Sequence, residues 1–101
     1  MEKTHKLIHN AARHRYEFHL DGGVAYIEYE PTNGALLLTH TIVPPAFEGQ
    51  GIGRRLVEAT LEDLREQGQR IIPQCSFIVR YLQRHPEWSG LLPEGRSIEE
   101  F

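Results

Sequence analysis

The sequence predicts an α/β domain in which an antiparallel meander leads into one long helix and then a parallel strand. Three observations carry this reading. Apolar and polar residues alternate with period 2 over Tyr16–Leu20, where Tyr16, Phe18 and Leu20 stand against Glu17 and His19. From Ile52 the period turns helical, putting Ile52, Leu56, Val57, Leu61 and Leu64 on one stripe. A short apolar pair, Ile71-Ile72, follows that helix closely. A strand–helix–strand connection of this length suits a parallel neighbour, with the helix packed on one sheet face.

Taken in order, Met1–Arg15 is polar and basic, and a short edge strand is expected near Ile8–His9. Tyr16–Leu20 reads as a half-buried strand, and Asp21-Gly22-Gly23 as a tight hairpin turn. Val24–Glu30 alternates again, Pro31-Thr32-Asn33-Gly34 makes a second turn, and Ala35–Val43 is a third long strand. Pro44-Pro45 ends it, because neither residue can donate to a ladder. The main helix should cover about Gly51–Gln67, with Gly68 as its C′ residue. Arg70–Gln74 is a short buried strand whose pairing Pro73 should break. Ser76–His85 is a second helix, with Phe77, Ile78, Tyr81 and Leu82 on its apolar side and Pro86 stopping it. Trp88, Leu91 and Leu92 dock the acidic tail.

The 101 residues suit one domain, 1–101, burying roughly 60–65% of the surface of the unfolded chain. With 40% hydrophobic and 25% charged residues, the composition is that of an ordinary globular protein. A net charge of −3 argues against a general nucleic-acid binder, whose footprint is a basic face. No apolar run approaches the ~20 residues of a membrane span, and no secretory leader opens the chain, so no membrane partner and a cytoplasmic location are expected. A single cysteine, Cys75, allows no intrachain disulfide and fits a reducing compartment. The histidines at positions 5, 9, 14, 19 and 85 show no metal-ligand signature, His5 and His9 having helical spacing but no accompanying helix signal, and no metal is expected.

The chemistry concentrates in His40–Val57. Glu48-Gly49-Gln50-Gly51-Ile52-Gly53 spaces three glycines at alternate positions before a helix, an order that aims backbone N–H groups at a phosphate. A Walker loop would need Gly-Lys-Ser/Thr where Gly53 is followed by Arg54-Arg55. A dinucleotide fingerprint would need its third glycine one residue later. Taken alone the motif is also what a flexible turn before a helix looks like. The two strand ends at Val43 and Pro73 suggest parallel neighbours that part at their C-terminal ends, leaving groups at Ile42 and Val43 free to pair with an amide-bearing ligand. Pantetheine carries two amides and leads to a pyrophosphate, so one molecule would satisfy both features.

Together these residues resemble the GNAT superfamily of N-acetyltransferases, whose central motif is Arg/Gln-x-x-Gly-x-Gly/Ala at the start of the main helix. The likeness is narrower still to small single-domain GNAT-like proteins with an active-site cysteine. It rests on Asp21-Gly22, Tyr26 to Tyr29, His40-Thr41-Ile42-Val43-Pro44, Gly49-Gln50-Gly51-Ile52-Gly53, Leu56-Val57, Ile72-Pro73-Gln74-Cys75 and His85-Pro86-Glu87-Trp88. The first motif position is Glu48, which removes one side-chain donor and sets an acid near the phosphates; the main-chain donors are unaffected.

The resemblance implies a minimal GNAT-like fold, with the parallel strand splayed at an acetyl-coenzyme A site, and an N-acetyltransferase acting on an unidentified amine. Ile42 and Val43 would pair with pantetheine, Gly49, Gln50, Gly51, Ile52 and Gly53 would hold the pyrophosphate, and Arg54 would meet a phosphate. Cys75 would be the acyl acceptor, lying before a helix whose positive end favours the thiolate. As a small buried hydrophobe it would be inert. His40 closes the third strand on the side expected to deliver Cys75, where an imidazole could take a proton from thiol or amine. Tyr81 reads either as an acid near the thioester or as core. The rival reading is a coenzyme A or acyl-coenzyme A binding protein without efficient catalysis.

Overall fold

A computed structural model describes residues 5–101 of the chain. Four strands, β1 Leu7–Asn10, β2 Arg15–Leu20, β3 Gly23–Thr32 and β4 Ala35–Ile42, follow one another as an antiparallel meander. The fifth, β5 Ile71–Pro73, joins β4 in parallel, giving the order β1-β2-β3-β4-β5. This is the mixed sheet that the sequence predicts. The edge strand expected near Ile8–His9 is β1.

β3 runs further than its alternation suggested, through Pro31 and Thr32. The β2–β3 ladder reaches only to Arg15↔Glu28, so Pro31 lies beyond β2 and interrupts no ladder on that side. The second turn shrinks to Asn33-Gly34, and the Thr32 hydroxyl closes it by donating to Ala35 O at 2.8 Å.

Tyr16, Phe18, Ala25, Ile27, Tyr29 and Leu38 share one face of the sheet and are buried. Helix α1, Ile52–Glu66, lies over β1–β3 and buries Ile52, Leu56, Val57, Thr60, Leu61 and Leu64. Each fully buried leucine of that stripe contributes about 2 kcal/mol. Gly68, at φ 68°, ends the helix as a C′ residue, with the Gln69 N–H reaching back to Leu64 O at 2.9 Å. Helix α2, Ser76–Arg84, packs on β4 and β5. Trp88, Leu91 and Leu92 fold back into the core, as expected of the tail. On the opposite face of the sheet, Arg15, Val24, Tyr26, Glu28, His40 and Ile42 are half-buried or exposed. Glu17 is buried there: burial would raise its carboxyl, but hydrogen bonds from His19 (2.8 Å) and Asn10 (3.1 Å) outweigh that and hold it below the usual range.

One irregularity sets the geometry of the site. β3 and β4 pair Tyr29↔Leu38 but then Glu28↔His40, so Thr39 is an extra residue on β4. Its hydroxyl donates to Glu28 O at 3.0 Å. β5 keeps step with β4 only over Leu36↔Ile71, Leu37↔Ile72 and Leu38↔Pro73. Gln74 and Cys75 then both donate to Leu38 O, at 2.9 and 3.1 Å. β4 continues through Thr39–Ile42 without a β5 partner.

Pro73 is not what parts the strands. Arg70 O and Gln74 N both bond to β4, and with period 2 the Pro73 nitrogen faces away, toward the outer edge of the sheet. The expected break at Pro73 is therefore a bulge at Thr39, and the proline blunts an edge.

Candidate functional site

The wedge between β4 and the starts of α1 and α2 opens into a cleft of about 680 Å³. Its floor is the free end of β4, with Thr41, Ile42 and Val43. Ile42 and Phe77 are the two large apolar side chains given to solvent among the described residues, at 41% and 44% exposure, and both line this cleft. An exposed apolar pair at the mouth of a concave site is what a partly apolar ligand covers.

The glycine turn forms one wall, and its glycines do different work. Gly49 and Gly51 take φ values of 81° and 76°, a region costing an L side chain roughly 1–2 kcal/mol. Gly53 is helical, but a Cβ there would come within 3.2 Å of the Phe77 ring and 3.5 Å of Val43 Cγ2. It is glycine for close approach. Gly51 is the N-cap of α1 and offers no side-chain cap, and the Arg55 N–H closes the first turn on Gly51 O at 3.1 Å. The N–H groups of Ile52, Gly53 and Arg54 are thus left uncapped at the positive end of a 15-residue helix. Gln50 sits in the turn but is not among the residues lining the cleft.

Three arginines, Arg54, Arg80 and Arg84, face the cleft against one acid, Glu48. Arg54 also stands 3.9 Å from Glu58. Arg80 and Arg84, four apart on α2, have no hydrogen bond or ion pair among the described residues. The uncapped donors, cationic rim and apolar floor can together accept an anion attached to a narrow, partly apolar arm.

Cys75 is the N-cap of α2, half-buried, and its thiol donates to Thr41 Oγ1 at 3.5 Å. Thr41 lines the cleft; Cys75 stands directly behind it. His40 does not join them. Thr41 pairs with fully buried Ile27 and so points to the helix-covered face, whereas His40 pairs with Glu28 and points to the other. Its Nδ1 lies 3.2 Å from Glu28 Oε1. Without the Thr39 bulge, residue 40 would share the face of Leu38; the extra residue puts Thr41 there instead.

Tyr81 lines the cleft and its hydroxyl donates to Glu58 at 3.1 Å, with the His85 ring stacked on it at 4.3 Å. Burial pushes the phenol up to about 12, and the hydrogen bond and charge of Glu58 act in the same direction. It remains a proton donor at neutral pH. Sequence reasoning gave no individual role in the site to Thr41, Phe47 and His85, counted Arg80 and Arg84 only among the second-half arginines that could serve a phosphorylated ligand, and put Phe77 on the apolar side of its helix. The 77, 80, 84 spacing on one helix face was the available signal.

A family model described as GCN5-related N-acetyl-transferase matches residues 15–91, a span that holds every residue lining the cleft. Protein NATD1 of Mus musculus is 30% identical over 84 residues, 80% of this chain and 76% of that protein. Protein NATD1 of Homo sapiens is also 30% identical over 84 residues, with 80% and 74% covered. The solution NMR structure of a GCN5-like protein from Staphylococcus aureus shares the fold with a TM-score of 0.67 and 25% identity, over 87% of each chain. The chain belongs to the GCN5-related N-acetyltransferase family.

Proposed function

We propose that this family member binds acetyl-coenzyme A in the cleft and transfers the acetyl group to a primary amine. The observation that carries the reading is the convergence of three features in one space: the unpaired end of β4, the uncapped start of α1 and the arginines of α2. The free edge at Ile42 and Val43 pairs with the amides of the pantetheine arm, as an added strand would. Backbone donors of the Gly49–Gly53 turn hold the pyrophosphate, with Arg54 at its rim, while Arg80 and Arg84 neutralise the remaining phosphate charge. Ile42 and Phe77 are covered in the process. Glu48 is the one lining group that opposes an anion.

The thioester supplies an activated acyl group. His40, on the far side of the β4 edge, takes a proton from the incoming ammonium, and Tyr81, which lines the cleft, passes one to the departing sulfur. Cys75 supports a second route, in which its thiolate attacks the thioester carbonyl and becomes S-acetylated before the amine takes the acyl group. The Thr41 hydroxyl beside its sulfur supports this route, since it links the thiol to the wall of the cleft.

Intact-mass spectrometry and calorimetry with acetyl-coenzyme A test the reading. Wild type should bind saturably and release free coenzyme A thiol when primary amines are added. An acetyl adduct that disappears in Cys75→Ala selects the covalent route, and an unchanged rate in that variant selects direct transfer. Binding with no turnover across an amine panel would leave a coenzyme A binding module, and no binding would end the proposal.

A further inference from the structure

The β-bulge that turns His40 away from Cys75 turns it toward a carboxylate. Across the uncovered face, Asn10, Arg15, Glu28 and His40 form one row over four strands, through the pairs Asn10↔Arg15, Arg15↔Glu28 and Glu28↔His40. Glu28 is held at both ends. Its carbonyl accepts from the hydroxyl of Thr39, the bulged residue itself, at 3.0 Å, and its Oε1 meets His40 Nδ1 at 3.2 Å. Because a carboxylate only accepts, that contact requires the proton on Nδ1 and leaves Nε2 as the basic nitrogen.

We propose that Glu28 is a positioning residue for His40, fixing its ring orientation and the Nδ1–H tautomer so that Nε2 stands ready, at the open edge of β4, for the acceptor's proton. This rests on the reading of His40 as the base. The helix-covered side of the edge is occupied by Thr41, Cys75 and the cleft, so an amine reaching the same edge from the uncovered side meets His40. The ammonium gives its proton to Nε2, and its nitrogen lone pair then forms the bond to the thioester carbonyl carbon. The C–S bond breaks with its electrons going to sulfur, and the second proton that the nitrogen sheds on becoming an amide ends on that sulfur, giving the free coenzyme A thiol. Glu28 takes no part in the proton transfer and, facing Nδ1–H, steadies the imidazolium. Around His40 on this face stand Glu28, Glu30 and Tyr26 on β3 and Arg15 and Glu17 on β2, while no β5 strand lies on the other side. Arg15 is stacked over Tyr26, with its Cζ 3.9 Å from the ring centroid, in the row position next to Glu28.

The pair is exposed, with side chains 64% and 40% open, so an effect of about tenfold on turnover is expected rather than the several thousandfold of a buried triad. Long-range 1H–15N spectra of the histidine rings at pH 8 read the tautomer without any acceptor. Wild type should show His40 as Nδ1–H. Glu28→Val should lose that tautomer, and Glu28→Gln, whose amide oxygen still accepts, should keep it. With propylamine as acceptor, Glu28→Val should lower kcat about tenfold at unchanged KM for acetyl-coenzyme A, and Glu28→Gln should recover most of it. An Nε2–H tautomer in wild type, a tautomer indifferent to Glu28→Val, or an unchanged kcat in that variant would each overturn the proposal. Failure of wild type to acetylate any amine would instead count against the functional reading above, and the ring spectra would still decide the role of Glu28.

Discussion

The regions around the two ends of α1 hold arginines that are indistinguishable in the sequence and opposite in use. At the C-terminal end, Arg70 donates through one nitrogen to Gly90 O and Leu92 O at 2.6 and 2.7 Å, tying the tail down. Arg65 lies over the Trp88 ring, 4.4 Å from its centroid. At the N-terminal end, Arg80 and Arg84 face the cleft with their hydrogen-bonding capacity unspent among the described residues. Tyrosines repeat the contrast. Tyr16 is buried near Asp63 and Gln67 at the C-terminal end, while Tyr81 reaches Glu58 beside the cleft. One end of the helix holds the fold together, and the other is the end that, in the proposed function, receives the phosphates.

Substitutions can break the contrast, beginning with the largest effect. Arg70→Ala removes two charge-assisted hydrogen bonds and strands two carbonyls, costing about 2–4 kcal/mol. Thermal unfolding should therefore fall by roughly 10 °C or more while affinity for acetyl-coenzyme A stays the same at temperatures where the variant is folded. The Arg80→Ala/Arg84→Ala pair should do the reverse. Stability should stay within about 0.5 kcal/mol, because the side chains are exposed and unpartnered, while acetyl-coenzyme A binding weakens about tenfold or more and loses part of its salt dependence. Equal effects of both variants on stability would erase the distinction.

Alkaline titration sharpens it further. Tyr16 and Tyr81 have pKa values pushed up to about 12, in each case by burial first, so the folded state keeps protons that the unfolded state gives up near 10. Their contribution is fully present below pH 10 and is lost as pH rises from about 10 to 12. Tyr16→Phe and Tyr81→Phe should each remove part of that slope in urea unfolding followed against pH, and only Tyr81→Phe should alter acetyl transfer. Glu17 works from the acid side with the opposite sign. Its carboxyl is held below the usual range, so its contribution is present above the unfolded carboxylate range and lost as pH falls through the folded value, and Glu17→Gln should flatten that limb.

The strands, both helices, the Gly68 stop and the glycine turn were legible because each is written in local signals: alternation, a helical stripe, turn residues. What the sequence did not disclose traces largely to one residue. Thr39 stands in a Leu-Leu-Leu-Thr-His-Thr run that looks like continuous strand, and a bulge there leaves no compositional mark. Since a one-residue slip reverses every side chain after it, the expected pairing of His40 with Cys75 became Thr41 with Cys75 and His40 with Glu28. Pro73 was legible as a residue but not in its direction, because which edge a strand proline faces depends on register. Phe77 sits at the border of the α2 stripe, where a helical pattern does not say whether the neighbouring volume is core or cleft. The arginines could not be sorted at all, because their partners are carbonyls distant in sequence.

The most direct measurement is an amide chemical-shift titration of 15N-labelled protein with acetyl-coenzyme A. Saturable changes should concentrate at Ile42, Val43, Gly49–Arg54 and the Phe77–His85 face of α2, and should leave Gly68–Arg70 and Trp88–Leu91 unmoved. Changes centred on the C-terminal end of α1, or a spectrum indifferent to acetyl-coenzyme A, would contradict the assignment of the two ends.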